Sequence, residues 1–243
     1  MRTVVTSFLS HLFFVIVTGI SITACEHKGN GEYWLKDDPE FSESLISDYV
    51  RVDESNPIQI VPFSDDCFVS SRQLVLIAHV NPFQHDQKLF DTMKRRYDDT
   101  HYNGFVSGVV SQRNHSYSND FTGVDLISDT EYNDLRAGES LGAIVRFYSV
   151  SPYLWLKSGS KDLFDWEQYK DPLLSTMTFS PQFYPVSKLL KDLTPEDLKL
   201  LKCGSVFLCF LEPPKIKEHH LTLTFFEGES VYQSTSRVVF SEK

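Results

Sequence analysis

The groups through which this chain could do chemistry are histidines, thiols, a serine between glycines, acidic pairs and flat aromatic rings. Six histidines, His79, His85, His101, His115, His219 and His220, lie beyond residue 70. Zinc would want two of them three or four residues apart on a helix, or a Cys-x-x-Cys pair. Neither spacing occurs, and the adjacent His219 and His220 would point to opposite faces of a strand, so no metal ligand is assigned. Gly138-Glu139-Ser140-Leu141-Gly142 is read as a turn between elements rather than as a hydrolase nucleophile. Glycoside cleavage uses two carboxylates that lie far apart in a chain, and among 33 acidic residues no pair stands out. Asp65-Asp66 and Asp98-Asp99 could ligate calcium, but loop solvation explains both more simply. Tyr153, Trp155, Trp166 and Tyr169, set among Lys157, Lys161, Asp162 and Asp165, could stack on sugar rings. In an all-β domain, however, such aromatics are more often core than contact.

Cys25 carries a more specific signal. It follows Ile22-Thr23-Ala24 and an apolar run from Leu12 to Val17, behind an N-terminus whose only charge is Arg2. A basic start, an apolar centre and small residues before a cut describe a secretory signal. Polar residues from Ser10 to Thr23 interrupt the run, which argues against a membrane-spanning helix. An aliphatic residue, two small ones and then Cys resembles the lipobox of bacterial lipoproteins. That resemblance implies cleavage before Cys25, acylation of its thiol by palmitate-like chains, and a body hung from a membrane. Glu26 stands where an Asp would resemble an inner-membrane retention signal, so the resemblance implies the bacterial outer membrane, on its periplasmic or its surface side.

The full chain carries 23 basic and 33 acidic residues, a formal charge of -10, and loss of residues 1–24 would remove only Arg2. An acidic chain without a basic stripe does not bind nucleic acid through phosphate neutralisation. Aromatics make up 14% of the residues, which favours half-buried strands. With Cys25 acylated, Cys67, Cys203 and Cys209 allow one disulfide at most. Cys203 and Cys209 would lie too far apart if Ser205 to Leu211 is a strand. A bridge from Cys67 to Cys203 or to Cys209 stays open, and buried thiols acting as small hydrophobes are the simpler reading.

The elements that must position these groups follow from periodicity. Residues 1–24 read as a signal peptide, 25–56 as a polar tether in which Leu45 to Val50 can dock, and 57–243 as one body. Ile58 to Val61, Gln73 to Val80, Gly104 to Val110 and Val206 to Leu211 read as strands. Leu89, Phe90, Met93 and Tyr97 fall at helical spacing, ending before Asp98. Gln112 to Asn119 reads as a polar loop. Thr194-Pro195-Glu196-Asp197 predicts a capped short helix that ends at Gly204. Leu221 to Phe225 and Val231 to Phe240, separated by a turn at Gly228, predict a hairpin.

Val124 to Asn133 with Ala137-Gly138-Glu139-Ser140-Leu141, and the end from Pro213-Pro214 through Leu221 to Phe226, Gly228 and Thr235 to Phe240, resemble a Bacteroidota family of uncharacterised lipoproteins. The resemblance covers about half of the chain beyond residue 24, and Trp155 to Pro185 departs from it. It implies a secreted, lipid-anchored, β-rich domain and brings no catalytic residues.

The expected fold is mainly β, an antiparallel β-sandwich with immunoglobulin-like character and two or three short helices. The expected function is that of a lipid-anchored cell-envelope protein that binds or scaffolds without catalysis or cofactor. Its partners would be the membrane, through Cys25, and an envelope protein or a glycan. A glycan-binding accessory lipoprotein and an envelope hydrolase are the alternatives.

Overall fold

Alternation of apolar and polar side chains sets the strands of this molecule. In Glu218–Glu227, His219, Leu221, Leu223 and Phe225 are buried on one face. Such a period-two pattern fits a half-buried strand. The computed structural model describes residues 43–62, 75–81, 85–102, 114–171, 173–177 and 179–240, all within one compact unit, residues 39–243. The chain is mainly β, with mostly antiparallel pairing.

In chain order the strands are β1 (Asp48–Val50), β2 (Gln59–Pro62), β3 (Val75–His79), β4 (His115–Tyr117), β5 (Gly123–Ser128), β6 (Val145–Ser151), β7 (Tyr184–Leu189), β8 (Val206–Phe210), β9 (Glu218–Glu227) and β10 (Ser230–Val239). Helix α1 spans Gln87–Tyr97 and α2 spans Tyr153–Lys157. A five-stranded sheet runs β2-β3-β8-β6-β7, a three-stranded sheet runs β10-β9-β5, and β1 pairs with β4 in parallel. Leu126, Leu223 and Phe225 of the three-stranded sheet share one apolar cluster with Leu76, Phe147 and Leu208 of the five-stranded sheet. A second cluster, with Ile46, Tyr49, Trp155 and Phe183, covers the other face of the five-stranded sheet. β8 is consequently buried at every residue. A strand packed on both faces reads as a continuous apolar run.

The expected helix is α1. Asp86 caps it by accepting the N–H groups of Lys88 and Leu89, Met93 faces inward, and Asp98 ends it at φ 53°. Lys94, Arg95 and Arg96 in the last turn complement the helix dipole. The hairpin also forms, and β9 and β10 pair from Glu227–Ser230 through Glu218–Val239. Gly228 turns it at φ 59°, where an L side chain would be strained.

Three expectations change. Leu45 to Val50, assigned to the tether as a segment able to dock, is packed into the body together with Val52, with Leu45, Ile46, Tyr49, Val50 and Val52 all buried. Part of the expected polar loop is β4, whose backbone is paired on both sides. Ser47 and Ser118 donate to Asn114 and Val50, while Tyr117 donates to Leu201 and Cys203 donates to His115. Backbone pairing of this kind leaves no trace in side-chain hydrophobicity. The capped segment at Thr194 forms its capping box, since Thr194 N–H and hydroxyl both donate to Asp197 Oδ2 at 2.8 and 2.7 Å. It then runs as turns, and Leu200 adopts φ 51°. Leu198, Leu200 and Leu201 are all buried, which one helical face cannot achieve. The expected strand Gly104 to Val110, Cys67, Asp65-Asp66, the signal peptide and Cys25 lie outside the described residues.

Candidate functional site

The four aromatic residues offered by the sequence as a stacking surface occupy three environments. Trp155, on the short helix α2, is 3% exposed and belongs to the core. Tyr102 packs edge-on against it at 6.2 Å, and among the described residues the Trp155 indole Nε1 has no hydrogen-bond partner. Tyr153 is half-buried, with Lys199 Nζ 5.0 Å and Lys157 Nζ 5.7 Å from its ring centre. Lys157 in turn pairs with Glu196. Trp166 and Tyr169 do meet, edge to face at 5.4 Å, inside an aromatic group with Phe164, Phe179 and Tyr184. The Trp166 indole N–H donates to the Phe183 carbonyl at 3.1 Å. T-shaped packing of this kind spends ring faces on one another.

A hydroxyl–imidazole pair that sequence reasoning did not single out lies between β5 and β9. Ser128 Oγ is 2.7 Å from Nδ1 of His219. Nε2 of His219 lies 2.8 Å from the Ile216 carbonyl, which can only accept, so Nε2 carries the proton and Nδ1 receives the Ser128 hydroxyl. The order of groups is that of a base-activated serine with a carbonyl in place of the usual carboxylate. Access is what the pair lacks. Ser128 is 1% and His219 0% exposed, and the rings of Tyr132 and Phe240 close over the imidazole at 5.2 and 5.5 Å. The alternation around His219-His220 was the available signal, because it sends one histidine inward and one outward.

The outward neighbour pairs with an acid. His220 Nδ1 lies 2.8 Å from Asp129, whose other oxygen accepts the His220 amide N–H at 2.9 Å. That amide, the Thr130 hydroxyl and the imidazole hold the Asp129 carboxyl at about 2.

Gly138 to Gly142 has the Gly-x-Ser-x-Gly spacing of a nucleophile elbow, a match the turn reading passed over. The elbow needs a strand before the serine and a helix after it. Here the segment is a loop along the edge of β5, bound through Gly138 N–H to Ser128 and Leu141 N–H to Leu126. Ser140 Oγ donates to Asp125 Oδ1 at 2.5 Å and accepts the Gly142 N–H, and among the described residues no histidine is bonded to it. The turn reading stands on that context.

A buried acid and a half-buried one, Asp99 and Glu227, hold structure together. Asp99 is 0% exposed and accepts the N–H groups of Leu45 and Ile46 at 2.8 and 3.0 Å. Burial raises its pKa, and the two amides and the Tyr49 hydroxyl offset this in part. Glu227 accepts from Asp120 N–H, Asn119 Nδ2, Tyr232 hydroxyl and Arg51 between 2.7 and 3.2 Å. Burial pushes its carboxyl up, and these donors outweigh it, leaving the group below its ordinary value. Asn119 also accepts the Val52 N–H and donates to the Val52 carbonyl, so its amide replaces a strand partner.

No family model, curated protein or solved structure matches the chain. Its chemistry must therefore be read from its own residues. Among the described residues no group of three or more His, Cys, Asp or Glu is placed to hold a metal ion, and no helix is long and apolar enough to cross a membrane. Cys203 and Cys209 are free thiols, and burial pushes Cys209 up to about 11. A small cavity in the core is lined by Val52, Ile58, Ala78, Tyr117, Phe121 and Phe225. Its walls bring no convergent polar side chains, which a specific ligand site would want.

Proposed function

We propose that the chain is a lipid-anchored protein of the bacterial cell envelope, in the outer membrane, that works by binding or scaffolding and not by catalysis. The observation that carries the anchor is Ile22-Thr23-Ala24-Cys25 behind the apolar run from Leu12 to Val17. Acyl chains on one Cys supply about 0.8 kcal/mol for each buried methylene, and two or more chains make a stable anchor. The reading without catalysis draws on the Ser128–His219 pair, which is sealed, and on Asp99 and Glu227, whose oxygens are occupied by backbone and side-chain donors.

The likeness to the Bacteroidota lipoprotein family belongs to the same proposal. Its support is that the segments carrying the likeness form one unit here, β5 with the loop from Gly138 to Leu141 laid along its edge. A β-sandwich with immunoglobulin-like character is also part of the proposal. The single apolar cluster between the three-stranded and five-stranded sheets supports it. A glycan-binding accessory is the second reading, favoured by one observation, the half-buried Trp166–Tyr169 pair.

The test is metabolic labelling with a palmitate analogue in a bacterial host, comparing the natural chain with Cys25→Ser. Label and membrane association that vanish together in the variant support the anchor. Label retained by the variant overturns it. A glycan array run with the protein and with Trp166→Ala separates the two readings, since glycan binding abolished by the substitution favours the accessory.

A further inference from the structure

We propose that two copies of this chain associate through β10, pairing antiparallel edge to edge about Thr235. β10 is an edge strand of ten residues paired with β9 alone, and β2 approaches it from the other sheet without a hydrogen bond. The hairpin closes at Glu227–Ser230, so Ser230, Tyr232, Ser234, Ser236 and Val238 direct their backbone groups to β9. The N–H and C=O groups of Val231, Gln233, Thr235, Arg237 and Val239 face outward, and among the described residues nothing receives them. A row of this kind is a template for another strand.

Among the described residues, the outer edges of β5, β7 and β2 are blunted, and this one is not. β5 is covered by the Gly138 to Leu141 loop. β7 carries Pro185, and the four-residue β2 ends in Pro62; proline is a usual device against edge pairing. β10 has neither proline nor bulge, because its register with β9 advances without a break.

A second copy is the occupant its sequence fits. Pairing about Thr235 sets Val231 opposite Val239 of the second copy, Gln233 opposite Arg237, and Thr235 opposite itself. About ten backbone hydrogen bonds would form across five such pairs. Val231 and Val239 are 52% and 53% exposed, and each would cover the other at the two ends of the ribbon. Charge agrees. The chain carries -10 overall, which keeps copies apart, but β10 contains no acid. Its one base, Arg237, is held by Glu218 at 2.7 and 2.9 Å and would face an uncharged Gln233. A two-fold ribbon also consumes both edges, so association stops at two.

Sedimentation of the full-length chain in mild non-ionic detergent tests this, and the expected result is a dimer whose mass does not grow further with concentration. Thr235→Lys places two ammonium groups opposite each other and should weaken the dimer roughly tenfold or more. An unchanged circular-dichroism spectrum and melting point would show that this variant folds. In a background with Cys25→Ser and Cys67→Ser, Thr235→Cys should oxidise to a covalent dimer, because the two Cα atoms of such a pair lie about 5.5 Å apart. Gln233→Cys alone should not, since its two copies would be about 13 Å apart along the ribbon. Mixed Gln233→Cys and Arg237→Cys chains should cross-link. A monomer, open-ended oligomers, or cross-linking by Gln233→Cys as readily as by Thr235→Cys would each overturn the pairing.

Discussion

Ser128 and His219 lie 91 residues apart in sequence and 2.7 Å apart between Oγ and Nδ1, at 1% and 0% exposure. Each side chain completes the other's hydrogen bonding inside an apolar surround. A buried acceptor that loses its donor costs about 1–3 kcal/mol, whereas removing both partners together costs much less.

Ser128→Ala should therefore destabilise the fold by about 1–3 kcal/mol by leaving His219 Nδ1 without a donor. Once His219→Leu is present, the same serine substitution should cost far less. Urea denaturation of both single variants and the double variant measures this coupling. Equal costs in the two backgrounds would mean that the hydroxyl and imidazole act independently.

Glu227 gathers donors from Arg51, Asn119, Asp120 and Tyr232, joining the start of the body to the hairpin. Glu227→Ala should cost about 3 kcal/mol, the scale of hydrogen bonds to a charged group. Its folded carboxyl sits below the ordinary value, so the folded state holds fewer protons at acid pH than the unfolded state. The resulting stability is present above about pH 4.3 and is lost as pH falls through the folded value. In Glu227→Gln the stability-against-pH curve should accordingly fall less steeply on the acid side. Superimposable curves would remove Glu227 from the acid response.

Asp99 has the opposite sign. Burial raises its carboxyl, so its linkage favours folding most below about pH 3.9, and that contribution is lost as pH rises through the folded value. Its two amide partners nonetheless need an acceptor. Asp99→Ala leaves the N–H groups of Leu45 and Ile46 buried without one, at about 1–3 kcal/mol each. Hydrogen exchange should show residues 45–50 losing protection while β9 and β10 keep theirs. Uniform loss across the molecule would mean that the clamp is not local.

Trp155 holds a buried indole N–H with no partner among the described residues. Trp155→Phe removes that orphan while leaving a smaller void, and the two effects should nearly cancel, to within about 1 kcal/mol. Trp155→Ala should cost about 3–5 kcal/mol. A Phe variant as damaged as the Ala variant would point to an indole hydrogen bond formed in solution.

The elements set by local sequence are those whose signals are short-range. α1 was legible because Leu89, Phe90, Met93 and Tyr97 repeat at helical spacing between Asp86 and Asp98, which cap it. The β9–β10 hairpin was legible because two alternating runs flank Gly228. Gly138 to Gly142 shows the limit of such signals, since five letters with the spacing of a nucleophile elbow lie in a loop along β5. What only tertiary structure decided are the pairings between distant segments: β1 with β4, Asp99 with Leu45 and Ile46, Ser128 with His219. Their partners lie dozens of residues apart, and backbone hydrogen bonds and burial, rather than side-chain periodicity, bring them together. Trp155 and Trp166 are alike as letters in one aromatic stretch. Packing buried one in the core and left the other half-buried among other rings, because which face a side chain covers depends on the surfaces that meet it.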